Sequence, residues 1–238
     1  MSIAAIQAEL EAKLDAVRSA LASILDGSRS ACLTCSFQAE DVLLTRLAIA
    51  IAPRLPILFL DTGYHFAATL EYRDKIAAAW DLNLVNLVPA QSVAAQEAEH
   101  GQLFRTAPDQ CCKLRKVEPL FRAVAGYDLW LTGLRREQAR SRTVLEESAP
   151  FALPDGKTVL KLAPLANWTT REVWYACESL GIERLPLYEL GYTSIGCEPC
   201  TTLPLDPNDP RSGRWAGQKV ECGIHIQAQS TGSSVQGS

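Results

Sequence analysis

The chain has 238 residues, 47% of them hydrophobic, and a formal net charge of −4 with a sequence pI near 5.5. A chain of this length can bury a sizeable core and lies in the usual range of one α/β domain. The acidic balance gives no reason to expect a nucleic-acid partner, and no apolar run of about 18 residues could form a membrane span.

The first segment, residues 1–27, predicts an amphipathic helix rather than a signal peptide or a membrane anchor. Apolar residues recur there at helical spacing, with acidic residues between them. Because no export signal is recognised, we expect a cytoplasmic protein whose eight cysteines stay reduced. Metal binding or thiol chemistry then explains the cysteines better than a disulfide framework.

Four short apolar strands follow, and the first three are each succeeded by a loop and a helix. The predicted strands cover residues 31–34, 57–60, 84–88 and 128–131. Of the three predicted helices, the first begins near residue 40, the second ends at residue 80, and the third runs from 93 to 100. This alternation predicts an α/β, Rossmann-like fold with a mostly parallel sheet and helices on both faces. Ligands of such sheets bind where the strands end, at the loops 35–41, 61–63 and from Gly133 onward.

The pattern changes near residue 151. We expect a hairpin around Asp155 and Gly156 and a helix from 169 to 180, followed by a stretch rich in Pro and Gly. The last segment, residues 227–238, is rich in Ser, Gly and Gln and is predicted to be disordered.

Two separate pairs of cysteines supply four thiols. Cys197 and Cys200 form a C-x-x-C motif, and Cys111 and Cys112 are adjacent in the chain. Four thiolates suit either a zinc ion or a 4Fe-4S cluster. Adjacent cysteines point apart on a regular helix, so a shared centre requires a local distortion, and the wider ligand spacing of a cluster favours iron-sulfur. Unconnected buried thiols are the alternative.

Three other cysteines are interpreted as core or loop residues. Cys32 and Cys35 lie at an odd offset on a strand, which directs their side chains to opposite faces. Cys177 lies on an apolar helix, where a buried free thiol is common.

Cys222 is the candidate nucleophile. It stands apart from the other four thiols in the motif E-C-G-I-H, where the glycine permits motion and nearby positive charge would stabilise the thiolate. A surface cysteine in a tail is the alternative.

Basic side chains cluster at three places in the sequence. They are Lys113, Arg115 and Lys116; Arg135, Arg136, Arg140 and Arg142; and Arg211 and Arg214. Guanidinium groups match phosphate and sulfate oxygens bidentately, which indicates an anion site, whereas a solvated charged surface is the alternative.

The loop at residues 36–41 precedes a helix and could cradle an anion with main-chain N–H groups. It lacks the Gly-Lys-Ser/Thr of a Walker loop, so ordinary NTPase chemistry is disfavoured. Glu40 and Asp41 have a purely structural explanation as well, because acidic residues suit a helix N-terminus.

Together these motifs resemble the assimilatory adenylyl-sulfate reductases of the phosphoadenylyl-sulfate reductase family, over about residues 30–225. The specific motifs are CCKLRK at 111–116, SIGCEPCT at 194–201 and ECGIH at 221–225, supported by segments 36–41, 60–63 and 132–138. Two departures are Gln38, where many relatives have Gly, and Ile224, where Leu is commoner. The resemblance implies an adenine nucleotide alpha-hydrolase-like fold.

The resemblance also implies roles for individual residues. The nucleotide and substrate would contact Ser36, Phe37, Gln38, Ala39, Glu40, Asp41, Leu60, Asp61, Thr62, Gly63, Gly133, Arg135 and Arg136. The phosphosulfate would lie among Lys116, Arg142, Arg211, Arg214 and His225, beside the catalytic Cys222. One 4Fe-4S cluster would be bound by Cys111, Cys112, Cys197 and Cys200.

A single reductase domain, residues 1–226, would then consist of the N-terminal helix (1–27), a nucleotide-binding core (28–150) and a C-terminal cluster and catalytic region (151–226). The implied reaction is thiol-dependent reduction of adenosine 5′-phosphosulfate to sulfite and AMP through a Cys222 S-sulfonate, in sulfate assimilation and cysteine biosynthesis. Thioredoxin or a glutaredoxin-like protein would be the reductant, and a homo-oligomer is compatible with the sequence.

Three alternatives stay open. The first is the same chemistry on 3′-phosphoadenylyl sulfate, alone or with the unphosphorylated nucleotide. A zinc-stabilised binding module is an alternative of another class. An adenylating ligase of the related pyrophosphatase type ranks last, because its Ser-Gly-Gly loop is missing.

Overall fold

The computed structural model describes residues 3–215, 219 and 221–224, so His225 and the tail predicted to be disordered lie outside the described residues. The helices are α1 (Ile3–Ile24), α2 (Ala39–Ile49), α3 (Ala67–Ala79), α4 (Val93–His100), α5 (Leu103–Thr106), α6 (Pro108–Cys112), α7 (Glu118–Val124) and α8 (Thr170–Ser179). The strands are β1 (Ala31–Thr34), β2 (Ile57–Leu60), β3 (Leu84–Leu87), β4 (Leu129–Thr132), β5 (Ser148–Ala152) and β6 (Thr158–Leu162). A π-helix (Lys113–Val117) joins α6 to α7, and short 3-10 turns cover Arg136–Gln138, Arg140–Arg142, Pro186–Tyr188 and Glu198–Cys200.

The six strands form one sheet in the order β3-β2-β1-β4-β6-β5. All neighbouring pairs are parallel except β5 and β6, which form an antiparallel hairpin that turns at Gly156, where φ is 89°. This confirms the predicted α/β class, the mostly parallel sheet and the hairpin.

Both faces of the sheet are covered, as expected for a parallel sheet. One face packs against α1, α2, α3 and α8, and the other packs against α7 and the segment that contains Ile224. Cys35 is buried on the first face and Cys32 on the second, and Cys177 is buried with Cys35, so the interpretation of these three as core residues is confirmed.

The site is positioned by the carboxyl ends of three neighbouring strands. Strand β1 pairs in parallel with β2 on one side and with β4 on the other. The loops after β1, β2 and β4 therefore leave the sheet at the same edge, as predicted for a ligand site of this class of fold. Among the residues that the structure describes, no helix combines the length and apolar character needed to span a bilayer.

The packing of α1 gives a test of this fold. Leu14 of α1 is fully buried in the core. Leu14→Ala should therefore lower the free energy of unfolding by about 2–5 kcal/mol, because apolar burial is lost and a cavity is left. Leu190→Ala is the matched control, since that leucine is 66% exposed and should change stability by less than about 0.5 kcal/mol. Chemical denaturation of both variants measures the difference; equal losses would contradict the docking of α1.

Candidate active site

A cavity of about 550 Å³ opens at the carboxyl edge of the sheet. The following residues predicted from the sequence line it: Ser36, Gln38, Ala39, Glu40, Asp41, Leu60, Thr62, Lys116, Gly133, Arg135, Arg142, Arg211, Arg214 and Cys222. Residues far apart in the chain thus meet at one place, which has the size of a small-ligand site.

Four predicted residues do not line this cavity: Phe37, Asp61, Gly63 and Arg136. The Phe37 ring is buried in the core, while its backbone adopts a φ of 59°. The Asp61 carboxylate accepts a hydrogen bond from the main-chain N–H of Gly63 at 3.0 Å, which closes the turn. Arg136 donates to the carbonyl of Leu145 at 2.8 Å. These four shape the loops around the cavity rather than its wall.

Asp41 ties the first loop to the loop after β4. Its carboxylate accepts hydrogen bonds from the Ser36 main chain and hydroxyl at 2.7 and 2.6 Å. Burial, reinforced by the charge of Glu40, raises the pKa of Asp41 to about 6. A Cβ added to Gly133 would lie 2.2 Å from this carboxylate and 3.0 Å from the Asp41 main-chain nitrogen. Glycine is therefore required at position 133 for the two loops to approach.

Gln38, the departure from the family's commoner glycine, links the first loop to the C-terminal region. Its side-chain nitrogen donates to the Ser36 hydroxyl at 3.1 Å, and its carbonyl accepts the main-chain N–H of Ile195 at 2.8 Å. The segment preceding the C-x-x-C motif is thus hydrogen-bonded to the loop at residues 36–41, here called the nucleotide-type loop because the resemblance assigns it to the nucleotide.

The four predicted ligand cysteines line a second, small cavity next to the first. They are Cys111, Cys112, Cys197 and Cys200. Lys116 and Trp215 border both cavities. Both adjacent cysteines lie in α6, and the expected departure from regular helix begins directly after Cys112, where α6 passes into the π-helix. Such π-helical turns occur frequently at functional sites.

The C-x-x-C turn is held against the loop that follows β2. Cys197 pairs with His65 in an isolated antiparallel bridge, and the Glu198 N–H donates to the Tyr64 carbonyl at 2.7 Å. The Thr62 hydroxyl lies 3.2 Å from the Cys197 sulfur. These contacts connect the cysteine site directly to the carboxyl edge of the sheet.

The cysteine site offers four thiols, the type of donor that binds a zinc ion or an iron-sulfur cluster. Burial raises the pKa of Cys111 and of Cys200 to about 11, and neighbouring thiols add to the shift. Burial also acts on Cys197, but the charge of Lys116 and the Thr62 hydrogen bond outweigh it, so the pKa of Cys197 lies below its usual value. Deprotonating all four thiols together would therefore require a cation that neutralises the resulting thiolates. Within the described ranges, no three His, Cys, Asp or Glu side chains are arranged to hold a metal ion.

The cationic end of the large cavity is formed by Lys116, Arg142, Arg211 and Arg214. Burial acts to lower the pKa of Lys116, but the thiols of Cys197, Cys222 and Cys112 outweigh it and raise the pKa. The Lys116 ammonium thus lies within electrostatic reach of both the cysteine site and the candidate nucleophile.

Arg214 is almost completely buried, and its guanidinium packs against Gly196, where a side chain would not fit. A Cβ at Gly196 would lie 2.2 Å from the Arg214 guanidinium, which donates to the Thr201 hydroxyl at 2.9 Å and lies 4.6 Å from the centre of the Trp215 ring. Arg211 and Lys219 also approach this ring, at 5.7 and 5.3 Å. Three cations therefore lie within cation–π distance of the Trp215 ring.

Cys222 is half-buried in the wall of the large cavity, within electrostatic reach of Lys116, Arg211 and Arg214. Lys161, on β6, is also within electrostatic reach of Cys222 and lies over the Trp130 ring at 4.6 Å. Burial, with a contribution from Arg142, lowers the pKa of Lys161 to about 7.

Sequence reasoning missed Trp215, Lys161 and the partners of Glu221. Trp215 stands directly after two predicted anion-binding arginines, which was a usable signal. Lys161 lies in β6, where no motif marks it. The Glu221 carboxylate pairs with Arg142 and Arg211 at 2.9 and 3.3 Å, and the sequence does not indicate which cation meets it.

The contact between Gly133 and Asp41 predicts a loss of stability on substitution. Gly133→Ala should lower the free energy of unfolding by about 1–3 kcal/mol, because the added methyl group clashes with the Asp41 main chain. Gly126→Ala is the control, since its Cβ would find its nearest neighbour at 3.4 Å. Thermal unfolding of both variants tests this, and a Gly133→Ala protein as stable as the control would refute the close approach.

The comparison with known proteins agrees with this geometry. Residues 30–203 match the phosphoadenosine phosphosulfate reductase domain. A Mycolicibacterium smegmatis protein named adenosine 5′-phosphosulfate reductase is 44% identical over 190 residues, which cover 79% of each chain. A Streptomyces coelicolor protein of the same name is 43% identical over 197 residues, covering 82% of this chain and 81% of that one.

Among solved structures, the phosphoadenylyl-sulfate reductase of Candida auris, in a phosphate complex, superposes with a TM-score of 0.64 at 25% identity, covering 85% of this chain and 98% of that one. The adenine nucleotide alpha-hydrolase-like fold is thereby confirmed. Extensive identity and a shared fold lead to the same conclusion: the chain belongs to the phosphoadenosine phosphosulfate reductase domain family.

Proposed function

We propose that the protein reduces adenosine 5′-phosphosulfate to sulfite and AMP, in the cytoplasm, as the reductive step of sulfate assimilation that supplies cysteine biosynthesis. One observation carries the proposal. Cys222 lines the same cavity as the loop at 36–41 and the cations Lys116, Arg211 and Arg214. A thiol, an anion site and a nucleotide-type loop are the three components that this reaction needs.

In the first step, the Cys222 thiolate attacks the sulfur of the bound phosphosulfate. A new S–S bond forms while the bond between sulfur and the bridging phosphate oxygen breaks, and the electron pair leaves with AMP. The products are AMP and an S-sulfonate on Cys222. Lys116, Arg211 and Arg214 would stabilise the charge that develops on the departing phosphate and on the sulfonate oxygens.

In the second step, a dithiol protein such as thioredoxin or a glutaredoxin-like protein attacks the Cys222 sulfur. Sulfite leaves, and a mixed disulfide joins Cys222 to the reductant. The second thiol of the reductant then releases Cys222 as a thiol and leaves an oxidised, disulfide reductant. Cys222 must therefore be reachable from outside once sulfonated, which agrees with its half-buried position on a late segment of the chain.

We further propose that Cys111, Cys112, Cys197 and Cys200 bind one 4Fe-4S cluster. The support is the shared small cavity, the π-helix beside the adjacent pair and the thiol donor set. A cluster bound there would fix the chain around Lys116 and tune the anion site rather than carry the transferred electrons. Lys116 itself would hold the substrate anion, because it borders both cavities.

The unphosphorylated nucleotide is the favoured substrate. The relatives named adenosine 5′-phosphosulfate reductase are 43–44% identical, whereas the Candida auris enzyme named for the 3′-phosphorylated nucleotide is 25% identical. The resemblance noted above supports the same choice, since relatives restricted to the phosphorylated nucleotide generally lack the four-cysteine set. The ratio of kcat/KM for the two nucleotides tests this preference.

The role of Cys222 predicts the behaviour of its serine variant. Cys222→Ser should abolish both sulfite release and the S-sulfonate, because serine is not activated as a nucleophile by the same cations, while the iron content stays unchanged. Mass spectrometry after addition of adenosine 5′-phosphosulfate, without reductant, detects the S-sulfonate. Cys32→Ala is the control, since that thiol is buried on the other side of β1 from Cys35 and does not line the cavity. Sulfite formation by the serine variant would refute the proposed nucleophile.

The proposed cluster predicts the metal content. Anaerobically purified protein should contain about four iron and four sulfide per chain, and Cys200→Ser should lose most of both because one of four ligands is removed. Cys177→Ser is the matched control and should keep its iron. Iron and acid-labile sulfide are measured chemically. Stoichiometric zinc without sulfide in the unmodified protein would instead support the zinc-stabilised alternative.

A further inference from the structure

The guanidinium of Arg142 donates three hydrogen bonds to two side chains of the protein. Its Nε and Nη2 donate to the two oxygens of the Glu221 carboxylate, each at 2.9 Å, in a bidentate pair. Its Nη1 donates to the side-chain oxygen of Gln138 at 2.5 Å. In this arrangement the edge of Arg142 formed by Nε and Nη2 is already taken by a carboxylate and is not open to a sulfate or phosphate group.

Glu221 also forms an ion pair with Arg211, a second cation at the same end of the cavity. Its carboxylate accepts from Arg211 Nη2 at 3.3 Å and from the Ser141 hydroxyl at 3.0 Å, and its side chain is only 8% exposed. Burial acts to raise the pKa of Glu221, but the hydrogen bonds and charges of Arg142 and Arg211 outweigh it and hold that pKa below its usual value. The carboxylate is therefore ionised at neutral pH and buried among cations in the cavity wall.

We propose that Glu221 is an internal anion that competes with the substrate for Arg142 and Arg211, and that it positions Cys222 by doing so. The inference rests on the proposed function, because it assigns the cavity's cations to an oxyanion ligand. A carboxylate presents two oxygens to a guanidinium fork much as a sulfonate or phosphate does. Glu221 thus occupies part of the anion site when substrate is absent.

The position of Glu221 in the chain gives this competition a mechanical consequence. Glu221 directly precedes Cys222, so its bidentate pair with Arg142 fixes the main chain next to the candidate nucleophile. When an external oxyanion takes Arg142, the pair is broken and the segment that carries Cys222 is released. Ligand binding and the anchoring of the thiol are then coupled, and the coupling must act equally in both directions.

A merely structural Glu221 predicts the opposite effect. If its only role were to hold the arginines in place, its removal would disorder them and weaken anion binding. If it competes, its removal takes an anionic partner away from Arg142 and Arg211, and an external anion should bind more tightly. The sign of the change in anion affinity therefore separates the two roles.

The test uses inorganic sulfate as the probe and the full chain purified anaerobically. Isothermal titration calorimetry of sulfate binding should give an affinity about tenfold higher for Glu221→Gln than for the unmodified protein, which is the size of a typical coupling between two sites. Glu221→Asp retains the charge and should remain near the unmodified value. Glu178→Gln, the same chemical change at an exposed position of α8, is the matched control and should have no effect.

A second measurement needs no variant. In the unmodified protein, saturating sulfate should speed hydrogen exchange in peptides that cover residues 219–224, because the Glu221 anchor is displaced, while peptides of β1 and β4 should stay unchanged. Sulfate binding that is equal or weaker in Glu221→Gln overturns the inference, and so does slower or unchanged exchange at 219–224. Neither readout requires turnover, whereas the S-sulfonate assay tests the proposed reaction, so the two proposals can fail separately.

Discussion

Burying several cations at one end of a cavity is costly unless opposite charges or aromatic rings compensate them. Lys116, Arg142, Arg211 and Arg214 are in this situation, and three kinds of group compensate them. Thiols lie within electrostatic reach of Lys116, the Glu221 carboxylate pairs with Arg142 and Arg211, and the Trp215 ring lies 4.6 Å from the Arg214 guanidinium. The rest of the site depends on this balance, because a bound oxyanion must enter a cluster whose charges are already satisfied.

The sheet edge explains why so many distant residues meet here. Strands β2, β1 and β4 are adjacent and parallel, so the loops that follow them leave the sheet together. Close packing then requires glycine at Gly133 against Asp41 and at Gly196 against Arg214. Through the hydrogen bonds of Gln38, the same edge reaches the C-terminal segment that leads into the C-x-x-C turn. Nucleotide-type loop, cysteine site and cations are held by one continuous set of contacts.

Much of this organisation could be predicted from the sequence. The strands, their order of appearance and the ligand edge follow from apolar runs and turn residues, which depend on local chemistry alone. The grouping of the four cysteines was predicted from their spacing together with the resemblance. The stretch between α4 and β4 was not resolved into its helices, because its boundaries depend on the π-helix beside Cys112 rather than on periodicity.

The directions of individual side chains were the main feature that could not be predicted from the sequence. Phe37 and Asp61 stand within motifs of the proposed nucleotide site, yet a positive φ turns the first toward the core and the second closes its own turn. The pairing of Glu221 with Arg142 is a contact between residues 79 positions apart, which no local pattern specifies. Such a contact is decided by which charges become buried together, and that is known only once the chain is folded.

A catalytic thiol on a late, separately anchored segment suits a two-step reaction better than a thiol fixed in the sheet edge. Cys222 would have to face a bound anion among cations in the first step and a dithiol protein in the second. A nucleophile rigidly buried beside Arg214 would satisfy only the first requirement. In the proposed competition, ligand oxygens replace Glu221 on Arg142 and Arg211, so the interaction that holds the segment carrying Cys222 in the cavity wall would also allow that segment to move.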